Sequence, residues 1–248
     1  RRNLMDSQDS QNDELLDDLE TYKENLRTIY DQIYRLRANN QDGIWLQIIR
    51  SFLTAVRAGD FDVVLGNPPW VGWRNLPEEY RTQVTNTYHK KYPSLMKSGE
   101  GEDGRRNIAA IIIHTTADKW LNQGGQMAVV IPTSLLQDKA QKGFREFELG
   151  GNNVLQPQKV NVFKNLYLFD NTYHEPSILS LKKNKKKAEN FKQALCIEWC
   201  KSENGSNEIN IALPLEEVYK RTCRTERIAV PLNAEPGARW LFTDKEAS

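Results

Sequence analysis

Apolar residues at Leu15, Leu19, Tyr22, Leu26, Ile29, Ile33 and Leu36 recur in alternating steps of four and three, the spacing that keeps one stripe of a helix turned toward a core. The pattern predicts a long amphipathic helix. Asn39-Asn40-Gln41-Asp42-Gly43 breaks it, and Ile44, Trp45, Ile48, Ile49, Phe52 and Val56 mark the buried side of a second helix. Together they predict an N-terminal helical hairpin over residues 13–58, preceded by a solvated, disordered lead-in over 1–12.

At Gly59 the period changes. Phe61-Asp62-Val63-Val64-Leu65-Gly66 is short, β-branched and closed by glycine, which predicts a buried parallel strand following its crossover helix. Residues 71–106 are polar and interrupted by Pro77, Pro93 and the run Gly99-Glu100-Gly101-Glu102-Asp103-Gly104, and are expected to form a long loop region. Ile108–Leu121 reads as a buried helix ended by Gly124-Gly125. Met127–Ile131 reads as a second core strand closed by Pro132, and Ser134–Leu149 as a further helix. Further strands are predicted at Lys159–Phe163, Ser177–Leu181 and Ala194–Trp199, with Lys182-Lys183-Asn184-Lys185-Lys186-Lys187 as a solvated turn. Beyond them, Ile209–Leu213 reads as an edge strand, Leu215–Arg224 as a short helix and Ala229–Ser248 as a tail. Strands alternating with helices predict the α/β class, with a mainly parallel sheet carrying an antiparallel edge. The domain plan is then the hairpin, an α/β body over 59–200, and a linker over 201–248 leading toward a further module.

Composition narrows the class. The chain has 248 residues, 34 Lys and Arg against 33 Asp and Glu, and 39% hydrophobic residues, with a mean hydropathy of -0.68. These values exclude a collagen or a wholly disordered chain. No stretch approaches the ~20 apolar residues of a membrane span, and Arg1-Arg2-Asn3-Leu4 lacks the apolar core of a secretory signal. A cytoplasmic location without membrane attachment is expected. Cys196, Cys200 and Cys223 are too few for a stapled secreted domain and are expected as thiols. Cys196-x-x-x-Cys200 has no second ligand pair, so no metal site is expected. A net charge of +1 means that any grip on a polyanion must come from a local cluster.

The chemistry concentrates in Asn67-Pro68-Pro69-Trp70, directly after the first predicted strand. The carboxyl ends of strands in open α/β sheets are where ligands bind. Two consecutive prolines have no N–H and hold φ near −65°, so they end the strand and present their carbonyls in a stiff turn. The Asn67 side-chain oxygen beside the Pro68 carbonyl offers two acceptors at near-fixed separation, matched to an amino group with two hydrogens. Trp70 adds a flat apolar face for stacking. The alternative is that the run merely opens a loop whose Trp70 and Trp73 cap the core.

This segment resembles the Asn/Asp-Pro-Pro-aromatic motif of S-adenosylmethionine-dependent amino-group methyltransferases, above all gamma-type N6-adenine DNA methyltransferases of restriction-modification and phage-defence systems. Asn107–Leu121 and Gly124–Leu136 resemble the helix, turn, strand and Pro-Ser segment that follow the motif, and the resemblance spans 44–183. It implies a Rossmann-like methyltransferase fold, S-adenosyl-L-methionine as cofactor and DNA as partner. Asn67 and the Pro68 carbonyl would hold the N6 amine, Pro69 would stiffen the turn, and Trp70 would stack on an adenine flipped out of the duplex. Phe169, in Leu168-Phe169-Asp170, resembles the aromatic covering the second face of the base, with Tyr167 and Tyr173 as alternatives. Asn67 would also border the cofactor.

The glycine-rich cofactor turn that precedes the motif in this family has no counterpart in residues 1–60. The chain therefore resembles the later, target-base part of a methyltransferase domain and by itself is expected to transfer no methyl group. The rest of the polypeptide or a partner protein would complete it. Gly99-x-Gly101-x-x-Gly104 matches a dinucleotide pattern, but no apolar strand precedes it and Glu100, Glu102 and Asp103 would repel phosphate. The Lys182–Lys187 cluster is read as a solvated turn rather than a phosphate contact, and His89, His114 and His174 as core or surface residues. Two other readings stand beside the main one: methylation of RNA adenine or protein glutamine, and a non-catalytic DNA-binding or assembly module.

Overall fold

The computed structural model describes residues 23–24, 26–35, 37–38, 50, 54, 61–96, 106–169, 174–185, 192–203, 205, 209 and 212–244. The chain divides into two units, Arg1–Gly59 and Asp60–Ser248. In the first, 23–24, 26–35 and 37–38 are helical, as the four-and-three spacing predicts. The lead-in over 1–12 and the expected turn between the two helices lie outside the described residues.

The second unit is built on one sheet. Its strands are β1 (Phe61–Gly66), β2 (Leu121–Pro132), β3 (Glu148–Leu149), β4 (Asn153–Phe163), β5 (Pro176–Lys185), β6 (Ala194–Lys201), β7 (Thr222–Pro231) and β8 (Trp240–Thr243). They lie in the order β1-β2-β5-β4-β6-β7-β8, with β3 on β4. The described helices of this unit are α1 (Glu78–Tyr88), α2 (Pro93–Met96), α3 (Ile108–Trp120), α4 (Ser134–Gln137), α5 (Lys142–Arg145) and α6 (Leu215–Arg221).

The α/β reading holds, but the sheet is mixed rather than mainly parallel. β1–β2 and β4–β6 run parallel; β5 inserts antiparallel between β2 and β4. Side-chain alternation reads the same in either strand direction, so periodicity cannot set polarity. The core lies on one face of this sheet. Met127, Val129 and Ile131 of β2, Leu179 and Leu181 of β5, and Val160 and Val162 of β4 alternate inward against Ala109, Ile113 and Ala117 of α3 and Leu135, Leu136 and Phe144 of α4 and α5. Each fully buried aliphatic side chain contributes about 1.5–3 kcal/mol relative to exposure.

Several local expectations need correction. β1 is not buried: Val64 packs on the core, while Val63 and Leu65 are 61% and 76% exposed, because among the described residues β1 ends the sheet and pairs with β2 alone. Gly124-Gly125 does not end a helix but bulges within β2, where the partner of Phe61 is Leu121 and that of Val63 is already Gln126. Gly124 adopts φ 81 there, a conformation glycine enters without Cβ strain.

The expected loop over 71–106 holds α1 and α2. Glu78 and Glu79 occupy the first turn of α1, where the helix dipole favours acids, and Pro93 opens α2, where a missing N–H costs nothing. Residues 97–105, including the glycine decoy, lie outside the described set. The single helix predicted over Ser134–Leu149 is instead α4, a 3-10 turn and α5. The Asp138 side chain accepts from the Ala140 N–H and starts a new turn, and Phe147 stands at φ 53.

Lys182–Lys185 continue β5 instead of turning in solvent, and 186–187 lie outside the described residues. Lys183 is buried, its ammonium donating to the carbonyls of Ala117, Asp118 and Leu121 at 2.9, 3.0 and 2.7 Å. It thereby caps the C-terminus of α3, where orphan carbonyls favour a cation. Neither Ile209 nor Ala212–Leu213 is in a strand. The expected tail pairs as the end of β7 and as β8, so residues up to Thr243 finish the sheet.

Arg145 locks that finish. It is 4% exposed and donates to the carbonyls of Leu135, Asp138, Gly237 and Ala238. Cys200 and Cys223, expected as thiols, face each other across β6 and β7 with Cα atoms 5.3 Å apart and form a disulfide. Cys196 is a buried thiol, which burial pushes up to about 12.

Candidate nucleobase site

The sheet topology brings several chain segments to one edge. β1 and β2 are parallel, and β2 and β4 both run antiparallel to β5. The carboxyl ends of β1, β2 and β4 therefore share an edge with the start of β5. Asn67–Trp70, Thr133, Leu166–Phe169 and Glu175 gather there.

After Gly66 the prolines stop strand pairing, and the next residues are strapped to the start of α3. The N–H of Trp73 donates to the Arg106 carbonyl at 2.7 Å and that of Ile108 to the Val71 carbonyl at 3.0 Å. Asn107 caps α3, its side chain accepting from the Ala109 N–H. The Asn-Pro-Pro-Trp turn is thus held at both ends, by β1 and by the helix.

Pro68 is buried, Asn67 and Pro69 are exposed, and Trp70 is half-buried. Asn67, Pro68, Pro69, Trp70 and Phe169 line a cavity of about 300 Å³. Asn67 therefore borders open space of nucleobase scale rather than packed hydrocarbon. Trp70 packs against the core and its indole N–H donates to the Val130 carbonyl at 3.2 Å, which sets the plane of the ring. Phe169 meets Trp70 edge to face, with centroids 5.7 Å apart and an interplanar angle of 89°.

All five lining residues were candidates from sequence. The Val130 carbonyl that orients Trp70 was not: it lies 60 residues away and offers no side-chain signal. A second cavity of about 300 Å³ adjoins the first and shares Phe169; Phe163, Leu166, Tyr167, Leu168, His174 and Glu175 are among its walls. Burial pushes the Glu175 carboxyl up. Its backbone carbonyl accepts from both the N–H and the hydroxyl of Thr133, and Thr133 and Ser177 share a hydroxyl hydrogen bond of 2.7 Å. Tyr167, the alternative to Phe169, lines this second cavity and not the first; Tyr173 lies outside the described residues. Among the described residues no group of three or more His, Cys, Asp or Glu could hold a metal, and no helix is long and apolar enough to cross a membrane.

The family model for the Eco57I restriction-modification methylase matches residues 2–169. No curated protein matches the sequence. Among solved structures, the chain is similar to a type I restriction-modification methyltransferase subunit from Streptococcus thermophilus, at 17% identity and a TM-score of 0.41, covering 65% of this chain and 30% of that one. It is also similar to the DrdV–DNA complex, at 13% identity and a TM-score of 0.40, covering 78% and 19%. The M protein of the type I restriction enzyme EcoKI matches at 14% identity and a TM-score of 0.35, covering 56% and 25%. The chain thus spans a third or less of the length of these three proteins.

Proposed function

Because this chain belongs to the Eco57I restriction-modification methylase family, we propose that it supplies the target-base part of a DNA adenine-N6 methyltransferase in a restriction-modification system. The observation that carries the reading is the cavity bounded by Asn67, Pro68, Pro69, Trp70 and Phe169, beside an indole anchored on the Val130 carbonyl.

The chemistry follows from the acceptor pair. The lone pair of an exocyclic adenine amine is delocalised into the ring. Two acceptors that engage both N–H bonds draw the nitrogen toward tetrahedral geometry and so localise the pair. Asn67 and the Pro68 carbonyl are the acceptors. Proline at 68 and 69 keeps them from being drawn into a sheet ladder. Trp70 supplies stacking for a base that has left its duplex. The reaction needs no covalent nucleophile.

S-adenosyl-L-methionine, the cofactor of such methyltransferases, would donate the methyl group. Of the described residues only Asn67 is assigned to its border. Gly66 offers no cradle, since a Cβ there would meet nothing within 4 Å, so the residues at hand do not fit the whole cofactor. No step is therefore derived through it, and the rest of the parent polypeptide or a partner protein is proposed to complete that pocket.

The test is product analysis with the full-length parent, labelled cofactor, and DNA, RNA and protein substrates. N6-methyladenine in DNA is expected. Asn67→Ala is expected to reduce its formation by about 10²–10³, the scale seen when one aligned polar group of a reaction site is removed, without loss of folding. Methylation confined to RNA or to glutamine side chains, or full activity of the Asn67→Ala protein, would refute the proposal.

A further inference from the structure

We propose that Arg224, held flat against Trp199 and Tyr219, is a phosphate-binding residue that takes the DNA backbone about six or seven base pairs from the base site. The proposal rests on reading Asn67–Trp70 as that base site and adds where the flanking duplex is gripped.

The guanidinium is built into a stack. Alternation along β6 puts Trp199 and Lys201 on the face opposite buried Cys196, and Trp199 pairs in register with Arg224 of β7. The Cys200–Cys223 disulfide ties the two strands beside that pair. The Trp199 indole N–H donates to the Asn161 side-chain oxygen at 3.1 Å, and its ring packs on Phe163 with centroids 5.8 Å apart. Helix α6 adds Tyr219, whose ring stacks on Trp199 with centroids 6.0 Å apart and an interplanar angle of 21°. That helix is seated by the Ser202 N–H, which donates to the Arg221 carbonyl at 3.0 Å, and by the Thr222 hydroxyl, which donates to the Val218 carbonyl at 2.8 Å. The Arg224 guanidinium lies over both rings, 4.5 Å from the Tyr219 centroid and 5.2 Å from that of Trp199.

Stacking occupies the plane of a guanidinium and leaves the N–H donors along its edge. The cations around Arg224 are paired: Lys220 and Arg221 both meet Glu217, at 3.8 and 3.1 Å, and Arg227 bridges Glu198 and Asp244. Arg224 is exposed and makes ring contacts only: among the described residues no carboxylate or carbonyl takes its N–H groups. A fixed, permanently charged fork with unmatched donors suits two oxygens of one phosphate. Exposed Lys201 adds a point charge on the same face. Glu216, Glu217 and Glu226 keep the surroundings near neutral, so recognition rests on one fork and not on a broad basic surface.

Position identifies the anion. β6 runs parallel to β4, so its carboxyl end shares the sheet edge that carries the base site. In the order β1-β2-β5-β4-β6-β7, β6 and β7 stand four and five places from β1, about 19–24 Å at the ordinary strand spacing. A duplex rises about 3.4 Å per base pair. An adenine at Asn67 therefore brings a backbone phosphate to Arg224 about six or seven base pairs along.

The intact chain is titrated by fluorescence anisotropy with a duplex of about 25 G·C pairs whose central adenine faces an abasic position and so leaves the helix readily. Arg224→Gln is expected to weaken binding about tenfold. It is also expected to reduce the slope of log affinity against log salt by about one, with the melting temperature unchanged. Methylphosphonates remove the phosphate charge; at the sixth and seventh positions on both sides of the adenine they are expected to weaken the wild type by the same factor and to leave Arg224→Gln unaffected. Arg224→Lys is expected to keep the salt slope but recover little affinity, because an ammonium is a point charge; it carries the test if the glutamine variant fails to fold. Asn67→Ala is expected to keep the slope and lose the preference for this duplex over one with an abasic centre.

Unchanged affinity and slope in Arg224→Gln would overturn the proposal and leave the fork to a carboxylate of a protein. A loss that the neutral phosphates do not mirror, or full affinity in Arg224→Lys, overturns it as well. If Asn67→Ala keeps the preference for adenine, the base-site reading fails separately, since the salt slope carried by Arg224 does not depend on the base.

Discussion

His114 should make the stability of this protein fall as the solution is acidified through the weakly acidic range. The imidazole is fully buried in the core, against Tyr92 and Phe144. Its Nδ1–H donates to the Ala110 carbonyl at 3.0 Å, and Nε2 has no hydrogen-bond partner. Burial pushes its pKa from 6.5 down to about 4, against smaller opposing effects of the Ala110 carbonyl and Asp118. The unfolded chain thus binds this proton more tightly than the folded one. Stability from this group is complete above pH ~6.5 and is lost as pH falls toward ~4, where it levels off. The whole difference is about 3 kcal/mol, and about 2 kcal/mol of it lies between pH 7 and pH 5. Urea unfolding of wild type and His114→Gln at both pH values isolates the contribution, because Asp118 and Glu175 titrate in both proteins. The expected result is a fall in wild-type stability about 2 kcal/mol larger than in the variant. Equal falls would show that the ring takes up its proton in the folded state with an accommodated partner, contrary to the lone Nε2.

Two other substitutions probe the frame that holds the site. Arg145→Met keeps an apolar stem but removes the guanidinium that donates to the carbonyls of Leu135, Asp138, Gly237 and Ala238; a loss of about 3–5 kcal/mol in chemical denaturation is expected. An unchanged midpoint would show that the β7–β8 turn does not depend on this bolt. Leu65→Lys places a charge on the exposed face of β1. It is expected to change stability by less than about 0.5 kcal/mol and to reduce self-association measured by light scattering, because it blunts an apolar edge strand. Unfolding of this variant would show that Leu65 is covered in solution.

Much of this molecule was legible from residue order because the decisive signals are local. The N-terminal helix follows from four-and-three spacing, and β1 and α3 follow from short apolar runs bounded by glycine, proline and Asn107. Asn67, Pro68, Pro69 and Trp70 form one continuous turn whose stiffness comes from the proline rings themselves, so their candidacy needed no fold. Phe169 was reached only by resemblance to a family pattern, and the cavity it shares with Trp70 gives that assignment a geometry.

The residue order alone determined where β1 ends, which turn is rigid and which chemical groups that turn presents, since these depend on backbone sterics within a few residues. Tertiary structure decided the rest. It chose strand polarity and order, made Lys183 a helix cap instead of a solvated turn, and drew Ala229–Thr243 into the sheet. It also bonded Cys200 to Cys223 and tethered Trp70 to a carbonyl 60 residues away. Each of these is a contact between segments far apart in the chain. Its free energy comes from desolvation and hydrogen bonding that exist only once those segments meet.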